Sequence, residues 1–242
     1  MNGSTVFNGG ASVNRSTGSL FRARRWWYVV AAALVLALLI WLIAFSSVLG
    51  VRSVNVVGAR TLTPSEVRAV ADIRAGTPLA RLDPAAVSRR VRGLAPVRSV
   101  SVSASYPASV TIRITERTAV GYRPVDGGEV LVDGENVAFR TVAKPPARLP
   151  RLQVSGIDAP SAAAAMVAAA LPAKLAAKVS TIAAATTESV TLTLNDGRTV
   201  LWGGTDRSDD KARLLSALLG QPGRYFDLSD PSSVISRGAS GN

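Results

Sequence analysis

The stretch VRSVNVVGARTLTPSEVRAV, residues 51–70, follows directly on a long apolar run and reads as a strand, a glycine turn and a helix. Val54 and Val56 alternate with Ser53 and Asn55, the period of a half-buried strand. Gly58 punctuates that strand. Thr63-Pro64-Ser65-Glu66 then supplies a capping hydroxyl, a proline at the first helical position and a glutamate three residues after the cap. Val67, Val70 and Ala71 continue at helical spacing, so this helix has one face to bury.

Downstream, Asp83-Pro84 opens a second helix by the same means, with Val87, Val91 and Leu94 on one face. Arg89, Arg90 and Arg92 fill other positions and read most simply as a solvated face. Two alternating runs follow, 97–104 and 109–115, joined by a turn at Tyr106-Pro107. The order over residues 51–118 is therefore β-α-α-β-β.

Upstream, residues 26–51 hold no charge. Trp26 to Phe45 is 20 residues, which at helical rise covers about 30 Å, the hydrocarbon thickness of a bilayer. Trp26, Trp27 and Tyr28 at one end, with Trp41 and Phe45 at the other, suit interfacial aromatic positions. Arg22, Arg24 and Arg25 precede the run, Arg15 lies further back, and the first acidic residue is Glu66. The positive-inside rule then expects a single-pass type II protein in the cytoplasmic membrane, with a short cytoplasmic N-terminus and everything after residue 50 outside. A cleaved signal peptide shares the basic flank. Against it, the apolar run exceeds the usual h-region of about 7–15 residues, and no A-x-A site follows. The expected organisation is a disordered basic tail at 1–25, a span at 26–48, a first domain at 51–118, a second at 119–237 and a polar tail at 238–242.

The second domain turns to short strands. VLVDGENVAF, residues 130–139, is a hairpin signal around Asp133-Gly134. Residues 161–179 are alanine-rich and read as helix, interrupted at Leu171-Pro172. SVTLTLNDGRTVLWGG, residues 189–204, is a second hairpin. A helix beginning near Ser208 and ending near Gly220 comes next, followed by strand-like pieces at 225–228 and 233–237.

Composition excludes several chemistries. The chain of 242 residues has no Cys and no His, which removes thiol nucleophiles, Cys/His zinc sites and histidine bases together. Its net charge of +12 is uneven: residues 1–50 hold four basic and no acidic groups, 51–120 eleven and four, and 121–242 thirteen and twelve. No aromatic-interleaved basic motif accompanies that charge, so a lipid or polymer surface is favoured over nucleic acid. Ser208-Asp209-Asp210-Lys211 matches S-x-x-K, but the companion S-D-N and K-T-G strings are missing and Ser208 reads as a helix N-cap. Asp126, Glu129, Asp133 and Glu135 lack calcium-loop spacing and read as solvated turn residues. No catalytic residue, metal ligand, cofactor or small-molecule substrate is expected.

Taken in order, these residues resemble the bacterial cell-division family FtsQ/DivIB. VRSVNVVGARTLTPSEV resembles the opening of its POTRA (polypeptide-transport-associated) domain, and SYPASVTIRITER, residues 105–117, the end of that domain. LVDGENVAF resembles the start of the family's β domain. LNDGRTVLWGGTDRSDDKARLLSALL and YFDLSDPSSVISR resemble its C-terminal half, including Lys211, Asp227 and Leu228. The resemblance implies an α+β chain: one transmembrane helix, a βααββ POTRA-type domain and a β-rich domain with a mixed or antiparallel sheet. It implies a non-enzymatic divisome scaffold at the septum, which binds single-span partners of the FtsB and FtsL type and connects to septal peptidoglycan synthesis. A partner strand would add to the last strand of the β domain, here Ser233, Val234, Ile235, Ser236 and Arg237 beside Tyr225 and Leu228, and Ile235→Pro would remove an edge donor. Pro231 departs from better-known members, as does the lack of aromatics in this segment. Another membrane-anchored POTRA adaptor, in secretion or envelope assembly, is the alternative.

Overall fold

The computed structural model describes residues 19–45, 50–154, 156–233 and 235–237. Helix α1 (Ser19–Phe45) contains the apolar run. Side chains are described in it for residues 26–38, 40 and 41, where Trp26, Trp27, Tyr28 and Trp41 are exposed; those of Arg22, Arg24, Arg25 and Phe45 lie outside the described residues. Among the described residues no helix is long and apolar enough to cross a membrane. Of the span expected over 26–48, residues 46–48 lie outside the described residues.

The chain divides into two compact units, one of residues 1–53, 74–82 and 104–109, the other of 54–73, 83–103 and 110–242. In the first, the chain at Val51 is held by backbone bonds to the loop that ends in a 3-10 turn, Leu79–Arg81. This unit also contains the turn at Tyr106-Pro107, whose peptide bond is cis.

The second unit holds two sheets. A three-stranded sheet has the order β1 (Ser53–Val57), β3 (Ser109–Glu116), β2 (Val97–Ser105). Helices α2 (Pro64–Ala71) and α3 (Pro84–Arg92) accompany it. Both begin as their sequences predict. Thr63 Oγ1 accepts from the Glu66 amide at 3.2 Å, and Asp83 Oδ1 accepts from the Ala85 and Ala86 amides at 2.9 and 3.0 Å. Val67, Ala71, Val87 and Val91 are buried, as are the inward residues Val110, Ile112 and Ile114 of β3. The helices are also tied to strands: Arg68 Nε donates to the Val54 carbonyl at 3.0 Å, and Ser88 Oγ to that of Val100 at 3.4 Å. Gly58 has φ +93°, and a Cβ there would lie 2.1 Å from the Ile114 carbonyl oxygen, so the turn after β1 requires glycine on two counts.

Two charged groups differ from expectation here. Arg90, read as part of a solvated face, turns its guanidinium to the Ala71 carbonyl at 2.6 and 3.1 Å. It thereby satisfies an acceptor at the end of α2 that has no partner within that helix. Asp133, read as a solvated turn residue, is only 4% exposed. One of its oxygens accepts from the Glu135 and Val137 amides at 3.0 and 2.9 Å, and the other binds Arg117. A short turn needs an acceptor for its inward amides, and an aspartate two residues upstream provides one.

The nine-stranded sheet is mixed, in the order β12-β11-β10-β9-β8-β7-β4-β5-β6. Strands β4 (Gly121–Val125), β5 (Gly128–Val132) and β6 (Ala138–Val142) form a meander. β7 (Arg151–Gln153) pairs parallel with both β4 and β8 (Val179–Thr186). β8, β9 (Ser189–Leu194) and β10 (Thr199–Gly203) are antiparallel. The helical expectation over 161–179 gives way to α4 (Ala159–Ala170), α5 (Ala173–Ala176) and the start of β8. Ala164, Ala165 and Val167 of α4 share one core with Ile182, Leu192, Val200, Trp202, Leu215 and Phe226. Alanines at these positions let the helix approach the sheet closely.

Candidate functional site

The C-terminal end of the large sheet holds both the S-x-x-K residues and the edge strand that the sequence singled out. It is built from β10, α6 (Ser208–Leu218), β11 (Tyr225–Asp227) and β12 (Ile235–Arg237). Below it, Trp202 and Lys211 are fully buried. Lys211 Nζ donates to the Gly204 carbonyl at 3.0 Å and to Asp206 Oδ1 at 3.3 Å, fixing the β10–α6 loop to the helix it precedes. Ser208 Oγ donates to the Thr205 carbonyl at 2.8 Å and accepts from Trp202 Nε1 at 3.3 Å. The S-x-x-K residues are thus each committed to the loop rather than to one another. The N-cap is Arg207, one residue earlier than expected, in a left-handed conformation with φ 45°. Its guanidinium pairs with Asp230 at 3.0 Å.

The segment between β11 and β12 carries a repeated device. Asp227 Oδ1 accepts from the Ser229 amide at 3.0 Å and its hydroxyl at 2.6 Å, and Asp230 Oδ1 does the same with Ser232 at 3.0 and 2.6 Å. Two successive Asp-x-Ser turns therefore return the chain for β12 to pair with β11. The hydroxyl and amide of Ser232, with Arg207, hold the Asp230 carboxyl below the usual carboxylate range, against a smaller opposing effect of burial. The D-x-S spacing, present twice in DLSDPSS, was the available signal for these turns.

β12 stands last in the sheet. Its register on β11 is Tyr225↔Arg237, Phe226↔Ser236 and Asp227↔Ile235, antiparallel. β11 in turn lies parallel to β10, with the Thr199 amide donating to the Arg224 carbonyl and the Leu228 amide to the Leu201 carbonyl. Backbone groups alternate along a strand, so Arg224, Phe226 and Leu228 face β10, while Tyr225 and Asp227 face β12. It follows that Ile235 and Arg237 spend their backbone groups on β11, and Ser236 directs its amide and carbonyl away from it. Of the expected edge residues, Tyr225 is half-buried, Ser233 exposed and Leu228 fully buried. Leu228 therefore belongs to the core and offers an incoming chain no side chain. Val234 and the side chains of Ile235, Ser236 and Arg237 lie outside the described residues.

A cleft of about 610 Å³ in the same unit is lined by Gly58, Thr61, Glu116, Leu131, Phe139 and others. Its carboxylate is already engaged. Glu116 accepts from the Arg60, Thr61 and Leu62 amides at 2.8, 3.0 and 3.1 Å and from Thr61 Oγ1 at 2.6 Å. Burial opposes its ionisation, but those donors outweigh it and hold the carboxyl at about 2, unsuited to exchanging protons at neutral pH.

Residues 49–117 match the family model described as POTRA domain, FtsQ-type, and residues 121–229 match that of Cell division protein FtsQ/DivIB, C-terminal. A protein named Cell division protein FtsQ from Streptomyces collinus is 36% identical over 231 residues, covering 87% of this chain and 88% of that one. The proteins of that name from Mycobacterium leprae and Mycobacterium tuberculosis are each 39% identical, over 76% and 77% of this chain but only 54% and 60% of their own lengths. The chain therefore spans little more than half of these mycobacterial relatives.

Proposed function

The chain belongs to the FtsQ/DivIB family of cell-division proteins, and from that premise we propose that it is a non-enzymatic scaffold of the division machinery. Residues 26–48 anchor it once in the cytoplasmic membrane, N-terminus inside. The two domains stand outside at the septum, where they hold single-span division proteins of the FtsB and FtsL type beside peptidoglycan synthesis. Support for the anchor comes from the uncharged run, its basic flank and the unbroken helix Ser19–Phe45.

The observation that carries the scaffold reading is β12 at the end of the nine-stranded sheet. An edge strand offers a row of amides and carbonyls to which a partner strand can add, and neighbouring side chains supply selectivity. The register on β11 makes Ser236, rather than Ile235, the residue whose amide is offered. Ser236→Pro is therefore expected to abolish crosslinking of partner chains to residues near 233 in living cells while the fold survives, because proline is tolerated on an edge facing outward. Ile235→Pro is expected instead to detach β12 from β11. Crosslinking that persists in Ser236→Pro, or normal septation on depletion of the protein, would rule this reading out.

A further inference from the structure

We propose that the end of the first unit at which the chain leaves its anchor is a docking face for anionic phospholipid headgroups of the leaflet from which α1 emerges. The inference rests on reading residues 26–48 as a membrane anchor.

Three segments converge there. The Val51 amide donates to the Thr77 carbonyl and the Gly76 amide to the Val51 carbonyl, both at 2.9 Å. The Arg52 and Ser53 amides donate to the Ala108 carbonyl at 2.8 and 3.3 Å. Gly50 forms a bridge to Pro78, and a Cβ on Gly50 would lie 2.7 Å from the Gly76 carbonyl oxygen. The chain therefore enters this end pressed backbone to backbone rather than through a loose linker.

The segments of this end carry only positive charge, with the exposed Asp72 and Asp83 lying just beyond them. Segments 50–53, 74–82 and 104–109 contain Arg52, Arg74 and Arg81 and no Asp or Glu. All three arginines are exposed. The third segment carries the turn with Tyr106, 72% exposed, next to the Ala108 carbonyl that receives the Arg52 amide. Guanidinium groups bind phosphate in a two-pronged geometry, and a tyrosine ring with a polar tip is at home at headgroup depth. By contrast, residues 121–242 hold thirteen basic and twelve acidic groups.

Distance favours the same occupant. Only residues 46–49 separate Phe45 from Gly50, and those links reach at most about 18 Å when fully extended. The headgroup layer takes up about 5–7 Å of that reach. What remains is comparable to the screening length of about 8 Å at physiological salt, so the arginines stay within the field of an anionic surface.

The absence of cysteine allows a unique probe: Ala80→Cys, exposed beside Arg81, in the full chain. Carrying an environment-sensitive fluorophore, it is reconstituted in nanodiscs of phosphatidylcholine alone or with phosphatidylglycerol. The expected result is blue-shifted emission in the anionic discs only, reversed by high salt and lost in Arg52→Gln/Arg74→Gln/Arg81→Gln, whose thermal unfolding stays unchanged. Equal emission in both lipids, or a shift that survives the triple substitution, overturns the proposal. A shift produced in neutral discs by soluble polyphosphate also overturns it and assigns the face to an anionic wall polymer. Entry into the discs is scored separately by resistance to alkaline extraction. A chain that is extracted refutes the anchor, and flotation of that free chain with vesicles of the same two compositions then decides the headgroup preference.

Discussion

Glu116 shows how much one carboxylate can organise. It lies at the end of β3, yet its five hydrogen bonds are to residues 60–62, more than fifty positions earlier, where the chain passes from β1 to α2. Its pKa, lowered from 4.5 to about 2, makes it a source of pH-dependent stability. Because the folded value lies below the unfolded one, the contribution is complete above about 4.5 and disappears as pH falls through about 2. A shift of that size corresponds to about 3 kcal/mol before screening, and partial exposure brings it to about 1–2 kcal/mol. Glu116→Gln is therefore expected to lower stability by that amount at neutral pH and to flatten the stability–pH curve between about 5 and 2, as urea titrations at stepped pH would register. The sequence placed Glu116 just beyond the alternating run 109–115; nothing in local pattern announces a partner fifty residues away.

At the scale of elements, legibility followed periodicity. Strands β1, β3 and β9 and most of β2 alternate, and helices α2 and α3 announce themselves through Thr63-Pro64 and Asp83-Pro84. β7 has three residues and pairs parallel on both sides, too short to show any period. β8 reads VSTIAAAT, and its alanines continue the composition of α4, so the change from helix to strand has no compositional edge. The edge location of β12 was legible from family resemblance, but which of its amides faces outward follows only from the register of two neighbouring strands. The alanines of α4 have a packing role that composition hides. Ala164 is 0% exposed, whereas Met166 two residues on is 52% exposed. Ala164→Leu is expected to cost about 1–3 kcal/mol by overpacking the helix against the sheet, while Met166→Leu stays within about 0.5 kcal/mol. Thermal unfolding of the two variants side by side tests this; equal melting temperatures would mean that α4 is not packed as tightly as its burial implies.

For the molecule as a whole, a group of ion pairs centred on Arg117 links the two described sheets. Arg117 follows β3 directly, donates its backbone amide to the Pro96 carbonyl at 2.8 Å, and sends its guanidinium to Asp133 and, at 3.0 Å, to Glu135 in the β5–β6 turn. Arg98 of β2 reaches the same Glu135 at 2.9 Å. Burial works against the Arg117 charge, but its bonds to Asp133 and Glu135 outweigh that effect and raise its pKa above the usual value. Those bonds and Arg98 likewise hold Glu135 below its ordinary range. Asp133 is the costly member, because with only 4% exposure it cannot recover in water what it loses with the arginine. Arg117→Ala is thus expected to destabilise by about 2–3 kcal/mol, the range for breaking a mostly buried ion pair with one exposed partner. The loss should also be visible in cooperativity. With the clasp intact, amide exchange in residues 64–71 and 190–194 is expected to report one unfolding event. Without it, the three-stranded sheet buries too little apolar surface to hold alone, and exchange in 64–71 should quicken before that in 190–194. Exchange that quickens equally in both segments would show that the two sheets remain one cooperative unit without Arg117.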